Sequence, residues 1–382
     1  MQSGVGFVHK VAVRQLKLSH YRNYSSLNVH LSGKHVVLTG HNGAGKTNFL
    51  EALSFLSPGR GLRRAAYSDV CHLEDGRDRF FVFARLQCDL YGEVNIGTAL
   101  EAGDNGRKVH INGVNETGDC LTEYCRISAL TPSMDRLFTG PSQDRRRFLD
   151  RMVLAIDPLH GRRMVDYEKV MRARNRLFAD GNQDRSLFDA LETQMAELAT
   201  AIAAVRIDLI RLLNDLFAQT LVDSPFPRAF LQIDGFLEGA FEEGISAVEV
   251  EERFSKRLRY NRALDCAAGR TLEGPHRTDF RVFYADKNMA AASCSTGEQK
   301  ALLIGLILCH ARLTGKMSNM APILLFDEIA AHLDIYRRAA LFDILDDLGG
   351  QAFMTGTDGI FFDSLKGRAE FFKIENGVLF QE

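Results

Sequence analysis

The fold of this chain is decided by the stretch Gly40-His41-Asn42-Gly43-Ala44-Gly45-Lys46-Thr47. It fits the pattern G-x-x-x-x-G-K-[ST], whose glycines let backbone N–H groups curl around phosphates at the positive end of the next helix. The apolar run Val36–Leu38 precedes the stretch, and a helical pattern over Lys46–Leu56 follows it. Strand, turn and helix in this order predict an ATP-binding P-loop, in which Lys46 reaches the β- and γ-phosphates and Thr47 ligates Mg²⁺.

The composition is typical of a globular protein. The chain has 382 residues, of which 46% are apolar and 25% are charged. It shows no secretory signal, and its longest apolar run, Ala301–Cys309, is too short to span a bilayer. We therefore expect a cytoplasmic protein without a membrane partner, with that run in a buried helix.

Cysteine and histidine spacing indicates no metal or disulfide framework. The seven cysteines form no C-x-x-C pair, and the eleven histidines form no H-E-x-x-H pattern. The formal net charge is −2, so any binding of nucleic acid must come from local basic patches rather than from a global positive field.

Three segments differ in pattern. Residues 1–125 carry the P-loop among strand patterns, residues 126–265 are mostly helical, and residues 266–382 return to alternating strands and helices. In the last segment we predict a helix over 296–314, a strand over Ile323–Phe326, a helix over 335–348 and a strand over 351–355. The order predicts an α/β P-loop ATPase lobe that is interrupted by an inserted, mostly helical domain. Sustained heptads are missing there, so no long coiled coil is expected.

An apolar strand pattern, Ile323–Phe326, ends in Asp327 and Glu328. A buried strand that delivers a carboxylate to its C-terminal edge is where P-loop proteins support Mg²⁺, and Asp327 suits that role. Glu328 is then placed to polarise an attacking water as a general base. Taken alone, such a strand also fits an ordinary chain leaving the core.

The segment Ser295-Thr296-Gly297-Glu298-Gln299 opens the predicted long helix. A hydroxyl residue and a glycine at a helix N-terminus can form a second anion site. The same residues also fit a capping box, in which Ser295 and Glu298 satisfy each other's backbone N–H groups. Both interpretations stay open at this point.

Further segments resemble one family, the RecF recombination mediators, within the ATP-binding-cassette ATPases of chromosome maintenance and DNA repair. The segments are Tyr21-Arg22-Asn23-Tyr24, Lys46-Thr47-Asn48-Phe49-Leu50-Glu51-Ala52, Lys108-Val109-His110-Ile111-Asn112-Gly113, Arg145-Arg146-Arg147-Phe148-Leu149-Asp150 and Gly274-Pro275-His276-Arg277-Thr278-Asp279. The last two are the most specific, because general transporter ATPases do not carry them. The resemblance covers nearly the whole chain.

The resemblance implies roles for individual residues. Lys46 and Glu328 are the implied catalytic residues, and Thr47 and Asp327 are the implied metal ligands. Contacts to ATP are implied for Arg22, Gly40, Asn42, Gly43, Ala44, Gly45, Lys46, Thr47, Asn48, Ser295, Gly297, Glu298, Asp327 and Asp334. Within that set, Ser295 and Gly297 would touch ATP that is held by a second copy of the chain, and Asp334 would line the dimer interface.

Two features depart from the general cassette pattern. The usual switch histidine after the last core strand is absent, and Thr355-Gly356-Thr357-Asp358 stands in its place. A glutamine loop is not evident near Ala129–Asp135. The γ-phosphate sensor is therefore unassigned, and slow ATP hydrolysis is expected.

The function that the resemblance implies is an ATP switch in recombinational repair and replication restart. ATP would close a homodimer on double-stranded DNA next to gaps, and a weak, DNA-stimulated hydrolysis would release it. RecR, and RecO in the same pathway, would be partners in loading RecA, with a link to the SOS response. The alternatives are the ATPase subunit of a membrane transporter and a small-molecule kinase.

The basic residues and one family segment keep two interpretations. Ser142–Arg176 holds nine arginines and one lysine against five acids, which fits either a solvated helical face or a phosphate-contacting surface. Gly274–Asp279 either positions a strand through its Gly-Pro turn or places His276 and Arg277 against DNA or a second copy.

Overall fold

The computed structural model describes residues 8–72, 79–104, 106–219, 224–330 and 333–382. The strands are β1 (Val11–Tyr21), β2 (Tyr24–His30), β3 (His35–Thr39), β4 (Phe80–Cys88), β5 (Gly92–Leu100), β6 (Lys108–Ile111), β7 (Val114–Glu116), β8 (Ile127–Leu130), β9 (Ala229–Asp234), β10 (Asp279–Tyr284), β11 (Met289–Ala290), β12 (Ile323–Phe326), β13 (Ala352–Gly356), β14 (Ala369–Glu375) and β15 (Val378–Gln381). The helices are α1 (Lys46–Ser54), α2 (Ser142–Ile156), α3 (His160–Ala179), α4 (Arg185–Ala218), α5 (Phe236–Glu242), α6 (Ala247–Tyr260), α7 (Arg262–Ala268), α8 (Thr296–Ser318) and α9 (Ile335–Leu348).

The chain divides into two compact units. The first comprises Met1–Asp135 and Leu303–Glu382, and the second comprises Arg136–Leu302. The boundaries expected from the sequence, after residues 125 and 265, do not coincide with these edges. The second boundary differs because β10 pairs along its whole length with β9, which places residues 279–284 with the helices rather than with the ATPase lobe. The first differs because β8 pairs with β12 and so belongs to the parallel sheet.

One sheet of the first unit has the strand order β15-β14-β3-β13-β12-β8. Its strands from β14 to β8 run parallel, and β15 is antiparallel. Every residue of β3, β12 and β13 is buried, which explains why these strands read as continuous apolar runs rather than as alternating ones. Because the strands are parallel, the carboxyl ends of β3, β12 and β13 meet at one edge, where the P-loop follows β3.

The other sheet of the first unit is antiparallel, with the order β2-β1-β4-β5-β6-β7. Buried and less buried residues alternate along β4, as the period of a half-buried strand requires. Side chains of α1, among them Phe49, Leu50 and Leu53, share one hydrophobic core with both sheets. The predicted P-loop helix thus lies in the core of its unit, so the loop before it has a rigid base.

The second unit is built around the long helix α4, against which α3, α5, α6 and β9 pack. Its core includes Tyr167, Met195, Leu237 and Phe254. The helical prediction for this region is correct for α2 to α7, but it did not include the strand β9. Its residues alternate strictly between buried and exposed, yet the strand is short and lies just after the prolines at 225 and 227.

Helix α8 contains the longest apolar run of the sequence. It is long and apolar enough to cross a membrane by composition, but 72% of its most apolar window is buried inside the protein. The residues Ala301, Leu302, Ile304 and Leu306 are fully buried. The prediction of a buried helix over Ala301–Cys309 is confirmed.

Candidate nucleotide-binding site

The P-loop lies between β3 and α1, and its backbone admits only glycine at two key positions. Gly40 has φ 143°, and a Cβ there would lie 2.4 Å from the carbonyl oxygen of Ile374. Gly45 has φ 121°, and its Cβ would lie 2.6 Å from Asn23 Nδ2. A side chain at either position would force the loop away from its neighbours, so both positions need glycine for the loop to keep the tight turn that an anion-binding loop uses.

Lys46 is held inside the loop. Its Nζ donates to the carbonyl oxygens of Gly40, at 2.6 Å, and His41, at 3.0 Å. Desolvation lowers the pKa of the Lys46 ammonium, and the charges of Glu328 and Asp327 act in the opposite direction. The ammonium therefore lies between the loop and the acids that follow β12, as a phosphate-binding lysine requires.

Thr47 and Asp327 come together at the carboxyl edge of the parallel sheet. Thr47 Oγ1 donates to Asp327 at 2.8 Å from Oδ2 and 3.1 Å from Oδ1. Asp327 is only 3% exposed. A hydroxyl and a carboxylate in contact are hard oxygen donors of the kind that Mg²⁺ prefers, so the two residues fit a magnesium site that phosphate oxygens and water would complete. The described residues contain no group of three or more His, Cys, Asp or Glu side chains that could hold a metal without such help.

Thr355, at the end of β13, connects the two acids. Its Oγ1 donates to Asp327 Oδ1 at 2.7 Å and accepts from the backbone N–H of Glu328 at 2.8 Å. Glu328 has φ 53°, a left-handed conformation that is uncommon for a residue other than glycine. In the sequence, Thr355 stands out only as part of the segment that replaces the switch histidine. The available signal was a hydroxyl residue at the end of a buried strand.

The segment Tyr21–Tyr24 supports the P-loop through hydrogen bonds to its carbonyl oxygens. Asn23 Nδ2 donates to the carbonyl oxygen of Ala44 at 3.0 Å, and Tyr24 Oη donates to that of Gly45 at 3.0 Å. Asn48 Nδ2 donates to Asn23 Oδ1 at 2.7 Å. Asn48 therefore contributes to the shape of the loop, and its predicted contact with ATP stays a prediction.

Arg22 forms an ion pair with Glu51 of α1. Its Nε and Nη2 donate to the two carboxylate oxygens at 2.9 and 3.0 Å, and its Nη1 donates to the carbonyl oxygen of Asp69 at 2.7 Å. The Glu51 side chain is fully buried, whereas that of Arg22 is 18% exposed. Any contact of Arg22 with a nucleotide would have to share or exchange these bonds, and it stays a prediction.

In the second unit, Ser295 and Glu298 form a capping box at the start of α8. The Glu298 carboxylate accepts from Ser295 N at 2.9 Å, and Ser295 Oγ accepts from Glu298 N at 3.4 Å. Lys287 also pairs with Glu298, and this bond together with those from Ser295 lowers the pKa of Glu298 to about 2. Ser295 and Gly297 are exposed. The capping interpretation is confirmed, and the exposed serine and glycine leave the predicted contact with ATP available.

Asp334 is the N-cap residue of α9. Its Oδ1 accepts from the backbone N–H of Arg337 at 2.9 Å. The next two side chains, Ile335 and Tyr336, are 69% and 84% exposed. The structure thus explains Asp334 as a helix cap, while its predicted place in a dimer interface stays untested.

The two most specific segments of the sequence dock onto each other within the second unit. Arg145 of α2 makes a two-pronged ion pair with Asp279 of β10, at 2.8 and 2.9 Å. Arg146 Nη1 donates to the carbonyl oxygen of Thr278 at 2.8 Å. Asp150 is bound by Arg206 of α4, at 2.8 Å for the shortest bond, and Arg206 also donates to the carbonyl oxygen of Pro275 at 2.9 Å.

His276 faces the interior of the second unit. Its Nδ1 lies 3.0 Å from Tyr167 Oη, and its Nε2 lies 3.1 Å from the carbonyl oxygen of Thr271. Gly274 has φ 132°, and a Cβ there would lie 2.2 Å from Tyr167 Oη, so the turn needs glycine. The strand-positioning interpretation of Gly274–Asp279 therefore accounts for His276, while Arg277 is exposed.

The comparisons with known proteins agree on one family. The family model described as RecF/RecN/SMC N terminal domain matches residues 12–378. Proteins named DNA replication and repair protein RecF are 58% identical over 374 residues in Brucella suis, covering 97% of this chain and 96% of that one, and 54% identical over 375 residues in Rhizobium etli, covering 97% and 99%.

Solved structures show the same fold. The recombination mediator protein RecF with ATP, from the RecFOR pathway, aligns with a TM-score of 0.84 at 22% identity over 98% of this chain and 100% of that one. The Smc head domain with an extended coiled coil from Pyrococcus furiosus aligns with a TM-score of 0.52 at 14% identity, covering 97% and 96%.

The fold and the P-loop geometry place the chain in the class of proteins with the P-loop, ATP-binding-cassette ATPase fold, in the group that includes the SMC heads. Within that group the chain belongs to the RecF family of DNA replication and repair proteins. Because the chain belongs to this family, the P-loop no longer has to be explained by a transporter ATPase or a small-molecule kinase.

Proposed function

We propose that this chain is an ATP-dependent switch that binds double-stranded DNA at gaps during recombinational repair and replication restart. One observation carries the proposal: hydrogen bonds link Thr47, Asp327, Thr355 and Glu328 beside the lysine of the P-loop. It supplies an anion cradle, a metal-holding pair and a carboxylate at the position of a general base. The solved relative that was described with ATP supports the same ligand for this chain.

In this proposal Lys46 and the P-loop N–H groups bind the phosphates of ATP, and Thr47 and Asp327 hold Mg²⁺. Bound Mg²⁺ would neutralise the charge that develops on the transferred phosphoryl group. Glu328 would accept a proton from the attacking water. Arg22, Asn42 and Asn48 are proposed to line the same site. Hydrolysis is slow and DNA-stimulated, so it serves to reset a switch rather than to supply work.

The second half of the site comes from another copy of the chain. Ser295, Gly297 and Glu298 are proposed to cover the nucleotide that the P-loop of the partner copy holds, with Asp334 at the interface. The exposure of Ser295 and Gly297 supports this, because a loop that served only to cap α8 would not need an uncovered glycine. ATP would therefore close a homodimer, and the dimer would hold duplex DNA.

The partners follow from the family and its pathway. The solved relative is described as belonging to the RecFOR pathway. We extend this to the present chain, which would act in the cytoplasm with RecR and RecO to load RecA, and so contribute to the SOS response.

Retention of DNA tests the switch. Gapped, duplex and single-stranded DNA of equal length are compared at one stated salt concentration, with ATP, with ADP and without nucleotide. We expect gapped and duplex DNA to be retained more strongly with ATP than with ADP. Equal retention of gapped DNA with and without ATP would refute the proposal. Salt is held fixed because phosphate contacts alone change affinity steeply with ionic strength.

A further inference from the structure

Thr355 occupies a central place in the parallel sheet. It lies near the end of β13, which pairs with β3 on one side and β12 on the other. The side chain is fully buried, at 0% exposure. Thr355 therefore lies between the strand that leads into the P-loop and the strand that ends just before Asp327.

The direction of both hydrogen bonds of Thr355 is fixed by chemistry. The backbone N–H of Glu328 can only donate, so Thr355 Oγ1 accepts it at 2.8 Å. The hydroxyl hydrogen is then free to be donated to Asp327 Oδ1 at 2.7 Å. With Oδ1 held in this way, Oδ2 is the oxygen that makes the shorter bond to Thr47, at 2.8 Å against 3.1 Å.

The same hydroxyl supports the backbone of Glu328. A left-handed conformation is unfavourable for a residue with a Cβ, so Glu328 at φ 53° needs a partner that holds its peptide group in place. Thr355 Oγ1, which accepts the N–H of Glu328, is that partner. One buried oxygen thus fixes both the rotation of the Asp327 carboxylate and the direction in which the Glu328 side chain leaves the strand.

We infer that Thr355 is a positioning residue for the ATP site, which rests on the proposed function. It orients Asp327 toward the metal that Thr47 and Asp327 would hold, and it sets Glu328 in the geometry of a general base. It does this through its hydroxyl and touches no reacting atom itself. The switch histidine is absent, and the Thr355 hydroxyl is the group from β13 that links Asp327 and Glu328.

The test compares Thr355→Val, which removes the hydroxyl at nearly constant shape, with Thr355→Ser, which keeps it. Thr98→Val is the matched control, because Thr98 is a buried strand threonine of the antiparallel sheet at 1% exposure. ATP affinity is measured with Mg²⁺ and with EDTA, and kcat and KM are measured separately. The quantity compared is the gain in ATP affinity on going from EDTA to Mg²⁺. Because Thr355→Val loses a hydrogen bond to a charged group, we expect this gain to be roughly ten- to a hundredfold smaller than in wild type.

We expect kcat of Thr355→Val to fall by a similar factor while its affinity in EDTA stays within about twofold of wild type. Thr355→Ser and Thr98→Val should match wild type within roughly threefold in both measurements. Loss of the Mg²⁺ effect in Thr355→Ser would overturn the inference by itself, even if Thr355→Val does not fold. An equal fall of affinity in Mg²⁺ and EDTA would assign Thr355 to folding alone and also overturn it.

Failure of the inference and of the proposed function give different results. If wild type binds and hydrolyses ATP with Mg²⁺ but Thr355→Val does the same, only the inference is overturned. If wild type itself shows no Mg²⁺-dependent binding of ATP, the proposed function falls, and the inference falls with it.

Discussion

His276 is a partly buried histidine whose two ring nitrogens are both satisfied in the neutral form. The carbonyl oxygen of Thr271 can only accept, so Nε2 carries the proton, and Nδ1 accepts from Tyr167 Oη. Burial lowers the pKa of His276 to about 4, and the positive charges of Arg277, Arg146 and Arg206 act in the same direction. Protonation would take away the acceptor for Tyr167 and place a charge among arginines.

This pKa predicts how stability depends on pH. The ordinary value is 6.5, so between about pH 4 and 6.5 the unfolded chain binds a proton at His276 that the folded chain does not. The unfolding free energy therefore falls as pH drops through this window, by up to roughly 1 kcal/mol per pH unit from this residue. Below about pH 4 both states are protonated and no further loss comes from His276.

The measurement is the difference between variants. Unfolding by urea at a series of pH values should give a smaller slope for His276→Gln than for wild type between pH 4 and 6.5. His30→Gln serves as the control, because His30 is exposed. An unchanged slope in His276→Gln would show that the interior of the second unit accepts a charged His276.

Strand β10 and helix α2 are joined by the ion pair between Arg145 and Asp279. The two side chains are 15% and 24% exposed, and both carboxylate oxygens are used. Further bonds run from Arg146 to Thr278 and from Arg206 to Pro275. Each of the two segments therefore supplies half of one polar junction.

A double-mutant cycle tests this junction. Arg145→Gln, Asp279→Asn and the double variant should give a coupling free energy of about 1–3 kcal/mol, since the pair is two-pronged and partly buried. The pair between Arg281 and Asp234 also holds β10, but its side chains are 54% and 64% exposed. Its cycle should give about 0–0.5 kcal/mol. Equal coupling in the two cycles would contradict the structural role given to Arg145.

The whole molecule offers the two halves of the proposed ATP site on different units. The P-loop and the acids after β12 belong to the first unit, whereas Ser295 and Gly297 belong to the second. A head-to-tail dimer would bring one half from each copy. The exposed side chains of Ile335 and Tyr336, next to Asp334, are an apolar surface that such a dimer would cover.

Two variants should separate nucleotide binding from dimerisation. Glu328→Gln keeps the shape of the site but removes the proposed general base, so ATP should accumulate unhydrolysed and the proposed dimer should persist in light scattering. Ser295→Arg should leave the affinity of the monomer for ATP within about threefold and abolish dimerisation, because a large side chain would occupy the proposed contact with the partner nucleotide. Thr98→Val is the control for both. A Glu328→Gln protein that stays monomeric at saturating ATP would refute the sandwich.

The sequence by itself determined the P-loop, the apolar strands that flank it and the family. These features are local: glycines, a lysine and a threonine at fixed spacing, and runs whose period reports burial. It also predicted Thr47 and Asp327 as ligands of one Mg²⁺, because a P-loop protein supports its metal with a carboxylate at the end of a buried strand. The helical character of the inserted region followed from the same kind of pattern.

Only the tertiary structure decided which distant residues share a hydrogen bond. Thr355 and Asp327 are joined because β13 and β12 are neighbours, and Arg145 meets Asp279 because α2 packs on β10. The contact of His276 with Tyr167 and that of Arg22 with Glu51 arise in the same way. The chemistry of a side chain follows from the residue type at its own position. Which distant residue it contacts depends on how the chain packs, and no short window of sequence contains that information.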